Sequence, residues 1–401
     1  MKDPGKEALS LETSTPKSQN QSQRISIMKA RSIKGKSTAE IKTALQQSKA
    51  DGYQPTMAFV FLTNVEEIDK ISAFLDAEGI AIFGASTSEK FTEEGIEPDG
   101  IVLLLLDIKP DYFQIVLKDY NAASVYESAS EVGAEGKNTF DHPAFIISSA
   151  DIRTPGEEVI KGLLNKAGPG VTVIGGVAGE HINFTGTIFT NQSKTNSGII
   201  SLILDEDKID VKGVAVSGWK PVGTEKKITK SEGNWVFTID NGPAMDVIKK
   251  FLGTEMLTSK KSDGLDSYPL QFQRGTGKPI MRPIILWNKE DQSVMLGAPV
   301  EEGSIFRFSL PPDLEVINTV IESTRSIKEN ELPDADAMLV FSCVGRLSSL
   351  GPMVNSEIEG LAATWNKPMA GFFSLGEFGK LDDTRPEFHG TTVSWVALKE
   401  K

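Results

Sequence analysis

The sequence predicts an α/β fold in which strand-helix-strand units repeat along the chain and form mixed sheets in two domains. Residues 56–89 and 142–180 each run from a short apolar strand through a helical pattern into a second strand that ends in glycine. A third segment, beginning at Ala337, follows the same order. This order favours right-handed crossovers and locally parallel strand pairing.

The first unit starts with the apolar run at residues 58–62, which is typical of a buried strand. Asn64 stands three residues before Glu67, a spacing that predicts the start of a helix. After its second strand, the unit continues through a polar loop into a longer apolar strand at 100–107.

The second unit repeats these signals with different residues. A β-branched run at 144–147 predicts its first strand, and Thr154 with Glu157 has the spacing of a helix start. Pro155 suits a first helical position. The strand after the polar loop is expected at 198–205.

A different pattern separates the second unit from the third. Residues 211–240 predict a short antiparallel stretch, and Pro243 a helix start, so we place a domain boundary near residue 245. In the third unit we expect a strand at 337–342, a loop, and then a helix with one apolar face at 352–366.

Each unit carries a turn that runs from glycine to glutamate after its second strand. Because ligands of such sheets bind beyond the carboxyl ends of strands, we expect the three turns to meet around one ligand. The turns lack the lysine of a P-loop and the spacing of a dinucleotide turn, so their glycines are expected to permit a positive φ or a close backbone approach. The turn residues assigned to this ligand are Gly84, Ser86, Glu89, Gly175, Gly176, Glu180, Ser374 and Glu377.

Three further residues are candidates for the same site. Cys343 is the only cysteine of the chain, and Arg346 follows it by three residues. We interpret Cys343 as a pocket-lining or supporting residue and Arg346 as the group that recognises a carboxylate, with Glu377 taking an amino group. The alternative for Arg346 is a structural ion pair with Glu377. His389 is expected just before the last strand, as a hydrogen-bond donor or, alternatively, as a haem or metal ligand.

Composition restricts the class of protein. The chain has 42 Lys+Arg against 55 Asp+Glu, a net charge of −13, so binding of the folded part to nucleic acid is not expected. Residues 1–24 are predicted to form a disordered basic tail. A single cysteine fits a reducing compartment, and apolar runs are too short for a membrane span, so we expect a cytoplasmic protein.

The order of these motifs resembles the FIST sensory proteins, whose name joins F-box and intracellular signal transduction. "FGASTSEKF", "IGGVAGE", "SGWKPVG" and "EGNWVFTIDNGPA" are similar to the FIST N-terminal region. "FSCVGRLSSLG", "NSEIEG", "MAGFFSLGEFG" and "FHGTT" are similar to the FIST C-terminal region. The resemblance implies an N-terminal domain at 25–245 and a C-terminal domain at 246–401.

The resemblance also implies a function. FIST proteins are regarded as sensors of small ligands, with amino acids suggested, and a haem-binding branch is also suggested. We therefore expect a stand-alone cytoplasmic sensor that binds a small polar ligand, without a metal, and signals through a separate protein. One alternative is an enzyme, a hydrolase or transferase, that uses Cys343; the other is a haem-based gas sensor with His389 as axial ligand.

Overall fold

The computed structural model describes Met1 and residues 28–120, 123–150, 154–180, 184–253, 265–274, 277–381 and 385–401. Apart from Met1, the predicted basic tail lies outside the described residues.

The first repeat consists of an edge strand, a helix, a strand, a second helix, a second strand, a hairpin and a last strand. The edge strand and first helix precede the unit that the sequence predicts. Ser37 caps that helix by accepting a hydrogen bond from the amide of Glu40. The elements are β1 Lys29–Gly35, α1 Thr38–Ser48, β2 Met57–Leu62, α2 Ile68–Ala77, β3 Ala81–Ser86, β4 Lys90–Thr92, β5 Gly95–Glu97 and β6 Ile101–Asp107.

The second repeat has the same order of elements. Its first helix starts with a capping box, in which Ser124 and Glu127 satisfy each other's backbone amides. The elements are β7 Phe113–Asp119, α3 Val125–Thr139, β8 Pro143–Ser149, α4 Gly156–Ala167, β9 Val173–Val177, β10 Ile188–Phe189, β11 Lys194–Thr195 and β12 Gly198–Asp205.

The third repeat begins with β13 Ile209–Val216 and is then interrupted by an insertion with its own antiparallel sheet. The insertion contains β14 Pro221–Glu232, β15 Trp235–Ile239, β16 Gly242–Pro243, α5 Ala244–Leu252, β17 Leu270–Phe272, β18 Ile280–Arg282, β19 Ile284–Trp287, β20 Val294–Leu296 and β21 Ile305–Ser309. The repeat resumes with α6 Leu314–Asn330, β22 Ala337–Cys343, α7 Val344–Leu350, α8 Val354–Trp365, β23 Met369–Ser374, β24 Glu377–Gly379, β25 Glu387–His389 and β26 Val393–Glu400.

The three repeats build three sheets of identical strand order and exchange their hairpins. The orders are β1-β6-β2-β3-β10-β11, β7-β12-β8-β9-β24-β25 and β13-β26-β22-β23-β4-β5. In each sheet the two inner strands joined by a helix are parallel, and the others pair antiparallel. Each hairpin thus joins the sheet of another repeat, and the exchange closes into a ring. The predicted fold class of repeated units and mixed sheets is confirmed.

The sheets share one apolar interior, and the helices cover their outer faces. The interior cluster draws fully buried side chains from all three sheets, among them Phe59, Ile146, Leu202, Leu339 and Phe372. Burying a side chain of this size contributes roughly 1.5–3 kcal/mol. Separate clusters lie beneath the helices of each repeat. No helix within the described ranges combines the length and apolar character needed to cross a bilayer.

Two local predictions are wrong. Thr154 does not cap α4, which begins at Gly156 with Pro155 as its N-cap residue and no side-chain cap. Arg346 lies in the short helix α7 rather than in a loop. His389 ends strand β25, opposite Glu377, and stands just before the last strand β26, as expected. The domain boundary near residue 245 stays a prediction; that residue lies in α5, inside the insertion.

Candidate functional site

The hairpin exchange brings the three glycine-to-glutamate turns together. Thr87 and Gly179 form a parallel bridge between the first and second turns. The amide of Phe373 donates to the carbonyl of Glu89 at 3.0 Å, which joins the third turn to the first. Strands β9 and β24 join the second to the third. The convergence expected from the sequence is therefore present.

Three glycines of these turns permit close packing rather than an unusual φ. None of Gly84, Gly175 and Gly176 has a positive φ. A Cβ added at Gly84 would lie 2.4 Å from the ring of Phe189, and one at Gly175 would lie 1.9 Å from the carbonyl oxygen of Ile147. Of the two roles expected from the sequence, close approach is the one these glycines serve.

The polar turn residues contribute to the same junction. Ser86 Oγ accepts a hydrogen bond from the amide of Thr187 at 2.8 Å. The amide of Glu180 donates to the carbonyl of Thr185 at 2.9 Å, and the Glu180 side chain is partly exposed. Contact of these turn residues with a ligand stays a prediction.

Arg346 is fully buried and engaged by the protein itself. Its Nε donates to Glu357 at 3.0 Å, and its Nη2 donates to the other oxygen of the same carboxylate. Its Nη1 donates to the carbonyl of Ser217 at 2.7 Å, and the guanidinium lies 4.9 Å from the ring centre of Trp219. The structural ion pair therefore involves Glu357 and not Glu377. The ligand-binding role of Arg346 stays a prediction and requires Glu357 to release the guanidinium.

Arg346 also holds a strained backbone segment between β25 and β26. Thr391 has a φ of 57°, which is unfavourable for a β-branched residue and costs of the order of 1–3 kcal/mol. Its carbonyl accepts from Arg346 Nη1 at 3.3 Å and from Ser217 Oγ at 3.3 Å. Thr392 follows and binds Glu377, so Arg346 positions the segment that links His389 to Glu377.

Glu377 is a fully buried acid surrounded by donors. Ser374 Oγ donates to it at 2.6 Å, and the amide and Oγ1 of Thr392 donate at 3.2 and 2.8 Å. Burial raises the pKa of Glu377 to about 7, and these bonds, together with one from Cys343, offset part of that rise. The carboxyl thus holds a junction of three strands.

Cys343 ends β22 and is buried. Its thiol bonds to Glu377, and its backbone amide donates to the carbonyl of Thr392 at 2.9 Å. These contacts agree with a supporting role. Use of Cys343 as a nucleophile stays a prediction. A histidine could act as its base, but His142 is exposed and paired with Asp207, and His181 lies outside the described residues.

His389 is fully buried and neutral. Burial lowers its pKa to about 3, and the charges of Arg282 and Arg274 lower it further, against a hydrogen bond to Gly379 that raises it. Nε2 lies 3.0 Å from the carbonyl of Gly379, and because a carbonyl only accepts, Nε2 carries the proton. Nδ1 is therefore a lone-pair acceptor, and it has no partner among the residues that the structure describes.

Beside His389 lies a network of charged residues from three parts of the chain, which we call the arginine network: Arg274, Arg282, Glu157, Glu387 and His389. Arg282 Nη2 pairs with Glu157 at 2.7 Å, and its Nη1 donates to the carbonyl of Phe388 at 3.0 Å. Arg274 pairs with Glu387 through Nη1. Helix α4, the insertion and the exchanged hairpin of the third repeat are thus joined by ion pairs.

The arginine network contains hydrogen-bonding groups that the described parts of the chain leave unfilled. Nε and Nη2 of Arg274 are buried without a partner there, and so is Oε2 of Glu157. With Nδ1 of His389, the network presents two unfilled donors and two unfilled acceptors. Leaving one buried polar group unpaired costs about 1–3 kcal/mol, so these groups are the candidate contacts for a polar ligand.

The sequence did not identify four of these five residues. Arg274 carries no motif, and Glu157 was expected only as part of a helix start. The glycines that follow Arg274 in "QRGTGKP" were the one available signal for it. Five open clefts of about 350 to 620 Å³ lie elsewhere on the described surface, so the unfilled groups, rather than a large cleft, identify this site.

The surroundings of His389 do not fit a haem. An axial histidine needs a ring nitrogen that faces a broad apolar slot. Here Nε2 is bonded to Gly379, and the positive charges of Arg282 and Arg274 act on the ring. Within the described ranges, no three His, Cys, Asp or Glu side chains are grouped as metal ligands.

Comparison with known proteins agrees with the motifs. No curated protein matched the sequence. The model of the FIST N domain matches residues 56–242, which include most of the first two repeats and the start of the insertion. The model of the FIST C domain matches residues 244–380, from α5 to the strand β24 that carries Glu377. Because the two matches follow each other over most of its length, the chain belongs to the FIST family, with a FIST N domain followed by a FIST C domain.

Proposed function

We propose that this FIST protein is a cytoplasmic sensor of a small zwitterionic ligand, with amino acids as the first candidates, and that it signals to a separate protein. The observation that carries the proposal is the set of unfilled buried donors and acceptors in the arginine network. The matched domains are those of a signalling family, and the single cysteine fits a reducing compartment.

The donors suit a carboxylate. Nε and Nη2 lie on one edge of the Arg274 guanidinium as parallel donors, spaced to match two carboxylate oxygens. Its Nη1 is already held by Glu387, which fixes the plane of the group. Arg274 and Arg282 are balanced by Glu387 and Glu157, so the network is formally neutral and suits a ligand whose own charges balance.

The acceptors suit an ammonium group. Glu157 Oε2 is a carboxylate oxygen whose partner oxygen is held by Arg282 at 2.7 Å. Nδ1 of neutral His389 adds a second acceptor. A ligand with a carboxylate and an amino group would satisfy all four unfilled groups, whereas a simple anion would satisfy only the donors.

Binding at the network would link three parts of the chain. Its residues come from α4, from the insertion and from the hairpin β24–β25. A ligand shifts the population of their arrangements only by its differential affinity for them. An amino acid that contacts all three parts would favour the arrangement in which they are docked, and this shift is the signal that we propose.

The first experiment screens each of the twenty amino acids for thermal stabilisation and compares wild type with Arg274→Lys. This substitution keeps the charge beside Glu387 but removes the two-donor edge. We expect at least one amino acid to raise the melting temperature, with stabilisation of about 2.7 kcal/mol at a hundred times its dissociation constant. Arg274→Lys should weaken that ligand at least tenfold in calorimetric titration.

Arg325→Lys is the matched control, because Arg325 is exposed on α6 and far from the network in sequence. It should bind the ligand as wild type does. Absence of stabilisation by every amino acid would refute the proposed ligand class. Equal affinity of wild type and Arg274→Lys would refute the assignment of the site.

A further inference from the structure

The insertion carries an open groove between a strand edge and a helix, which we call the α5 groove. The second half of β14 pairs with β15 on one side, and its first half pairs with β21 on the other, with an irregular register between Val222 and Lys226. On the β15 side, residues 221–226 have no strand partner in the described part of the chain. Helix α5 lies across from this open edge, and the groove between them measures about 450 Å³.

The walls of the groove are apolar near α5. Phe251 stacks on Phe308 with ring centres 4.0 Å apart and an interplanar angle of 9°. Phe251 is 36% exposed, which is unusual for a large aromatic side chain. Ile239 and Val247 complete the apolar lining. A side chain entering the groove would bury against this aromatic pair.

The lip of the groove is basic. Lys226 and Lys250 line it, and the one acidic lining residue, Asp240, is held by Lys226 at 2.8 Å. The surrounding insertion, residues 217–313, has 13 Lys+Arg against 12 Asp+Glu, whereas the remainder of the chain has 29 against 43. With two lysines and one aspartate in its lining, the groove is weakly basic on an acidic protein, which favours an acidic occupant.

We propose that the α5 groove docks an extended acidic segment of a separate protein. The segment lies extended along the open side of β14 at residues 224–226, where the irregular register limits backbone pairing, so its side chains supply most of the affinity. One apolar side chain of the segment packs on Phe251, and flanking carboxylates face Lys250 and Lys226. This docking does not depend on the ligand of the arginine network, so either proposal can fail without the other.

The test starts with a library of random twelve-residue peptides displayed on phage and selected on the full-length protein. We expect the enriched peptides to alternate acidic with apolar residues. The most enriched peptide is then synthesised with a fluorescent label, and its affinity is measured by anisotropy. Lys250→Glu and Phe251→Ala should each weaken it at least tenfold, and higher salt should weaken it further.

Lys289→Glu is the matched control, because Lys289 is exposed on a turn of the same insertion outside the groove. It should change the affinity less than twofold, and circular dichroism should show that all three variants are folded. The proposal would be overturned if the selection enriched no acidic peptides. It would also be overturned if Lys289→Glu lowered the peptide affinity as much as Lys250→Glu and Phe251→Ala do. A concentration-dependent dimer of the wild type that Phe251→Ala abolishes would instead make a second copy of this chain the occupant and would also overturn it.

Discussion

At the scale of single residues, Glu377 shows how burial sets the behaviour of an acid. Its carboxyl accepts hydrogen bonds from two strands and a turn, but it has no cationic partner in the described structure. Four donors are not enough to offset the loss of water, so the pKa rises from 4.5 to about 7. The protonated form is therefore favoured by folding.

This pKa shift predicts a pH dependence of stability. The folded protein retains the Glu377 proton up to about pH 7, whereas the unfolded chain loses it near pH 4.5. The stabilisation is therefore complete below the pKa of the unfolded chain and is lost as the pH rises through the pKa of the folded protein. The free energy of unfolding falls by about 3 kcal/mol over this range. The side chain of Glu377→Gln stays neutral at every pH. In urea unfolding, its free energy of unfolding should therefore fall much less between pH 5 and 7 than that of the wild type.

Glu359→Gln is the control, because Glu359 is exposed on α8. It should keep the slope of the wild type. If Glu377→Gln also keeps that slope, the acid is ionised in the folded protein and the derived pKa shift is wrong.

At this scale, the partner of a buried charged residue is harder to predict from the sequence than its burial. The pairing of Arg346 with a glutamate was foreseen, but the choice of Glu357 over Glu377 depends on α7 turning back onto α8. The pairing of Arg282 with Glu157 spans 125 residues of chain, and no local pattern predicts it. The unfilled groups of the arginine network could not be predicted from the sequence for the same reason.

At the scale of elements, the glycines of the second strands make room for the exchanged hairpins. Gly84 of β3 faces Phe189 of β10, and Gly371 of β23 faces Phe91 of β4. A Cβ at either glycine would lie 2.3 to 2.4 Å from the phenylalanine ring. Both rings are fully buried, so they cannot move away without disturbing the core.

Gly84→Ala should therefore destabilise the protein by about 1–3 kcal/mol, as expected for overpacking of a core. Phe189→Leu in the same chain should recover part of that loss, and a double-mutant cycle in urea measures the coupling. Gly170→Ala, where an added Cβ meets no atom within 4 Å, should change stability by less than about 0.5 kcal/mol. Additive effects of the Gly84 and Phe189 substitutions would contradict the proposed contact.

Elements with strong local patterns were predictable, and those without them were not. The buried strands β2, β8 and β22 are continuous apolar runs and were predicted within a few residues. The edge strands β1 and β7 and the helix α3 were missed, because partly exposed strands and a helix rich in small polar residues have weak periodicity. The hairpin strands span as few as two residues, too short for any pattern.

At the scale of the whole molecule, three repeats form one closed unit because each hairpin completes the sheet of another repeat. The repetition was predictable from similar segments, but the exchange was not, because strand partners distant in sequence leave no periodic signal. The interruption of the third repeat by the insertion also follows only from the pairing of β13 with β26. This arrangement brings the insertion against the exchanged hairpin and so creates the arginine network.

The central claim is that a small zwitterion fills the arginine network and joins three parts of the molecule. Amide hydrogen exchange, followed by mass spectrometry with and without the stabilising amino acid at saturation, tests it most directly. We predict that the bound amino acid slows exchange in all of the following segments together: residues 156–160 of α4, strands β17 and β18, and residues 385–392. Unchanged exchange in these segments, with slowing around α7 and Arg346 instead, would contradict the account.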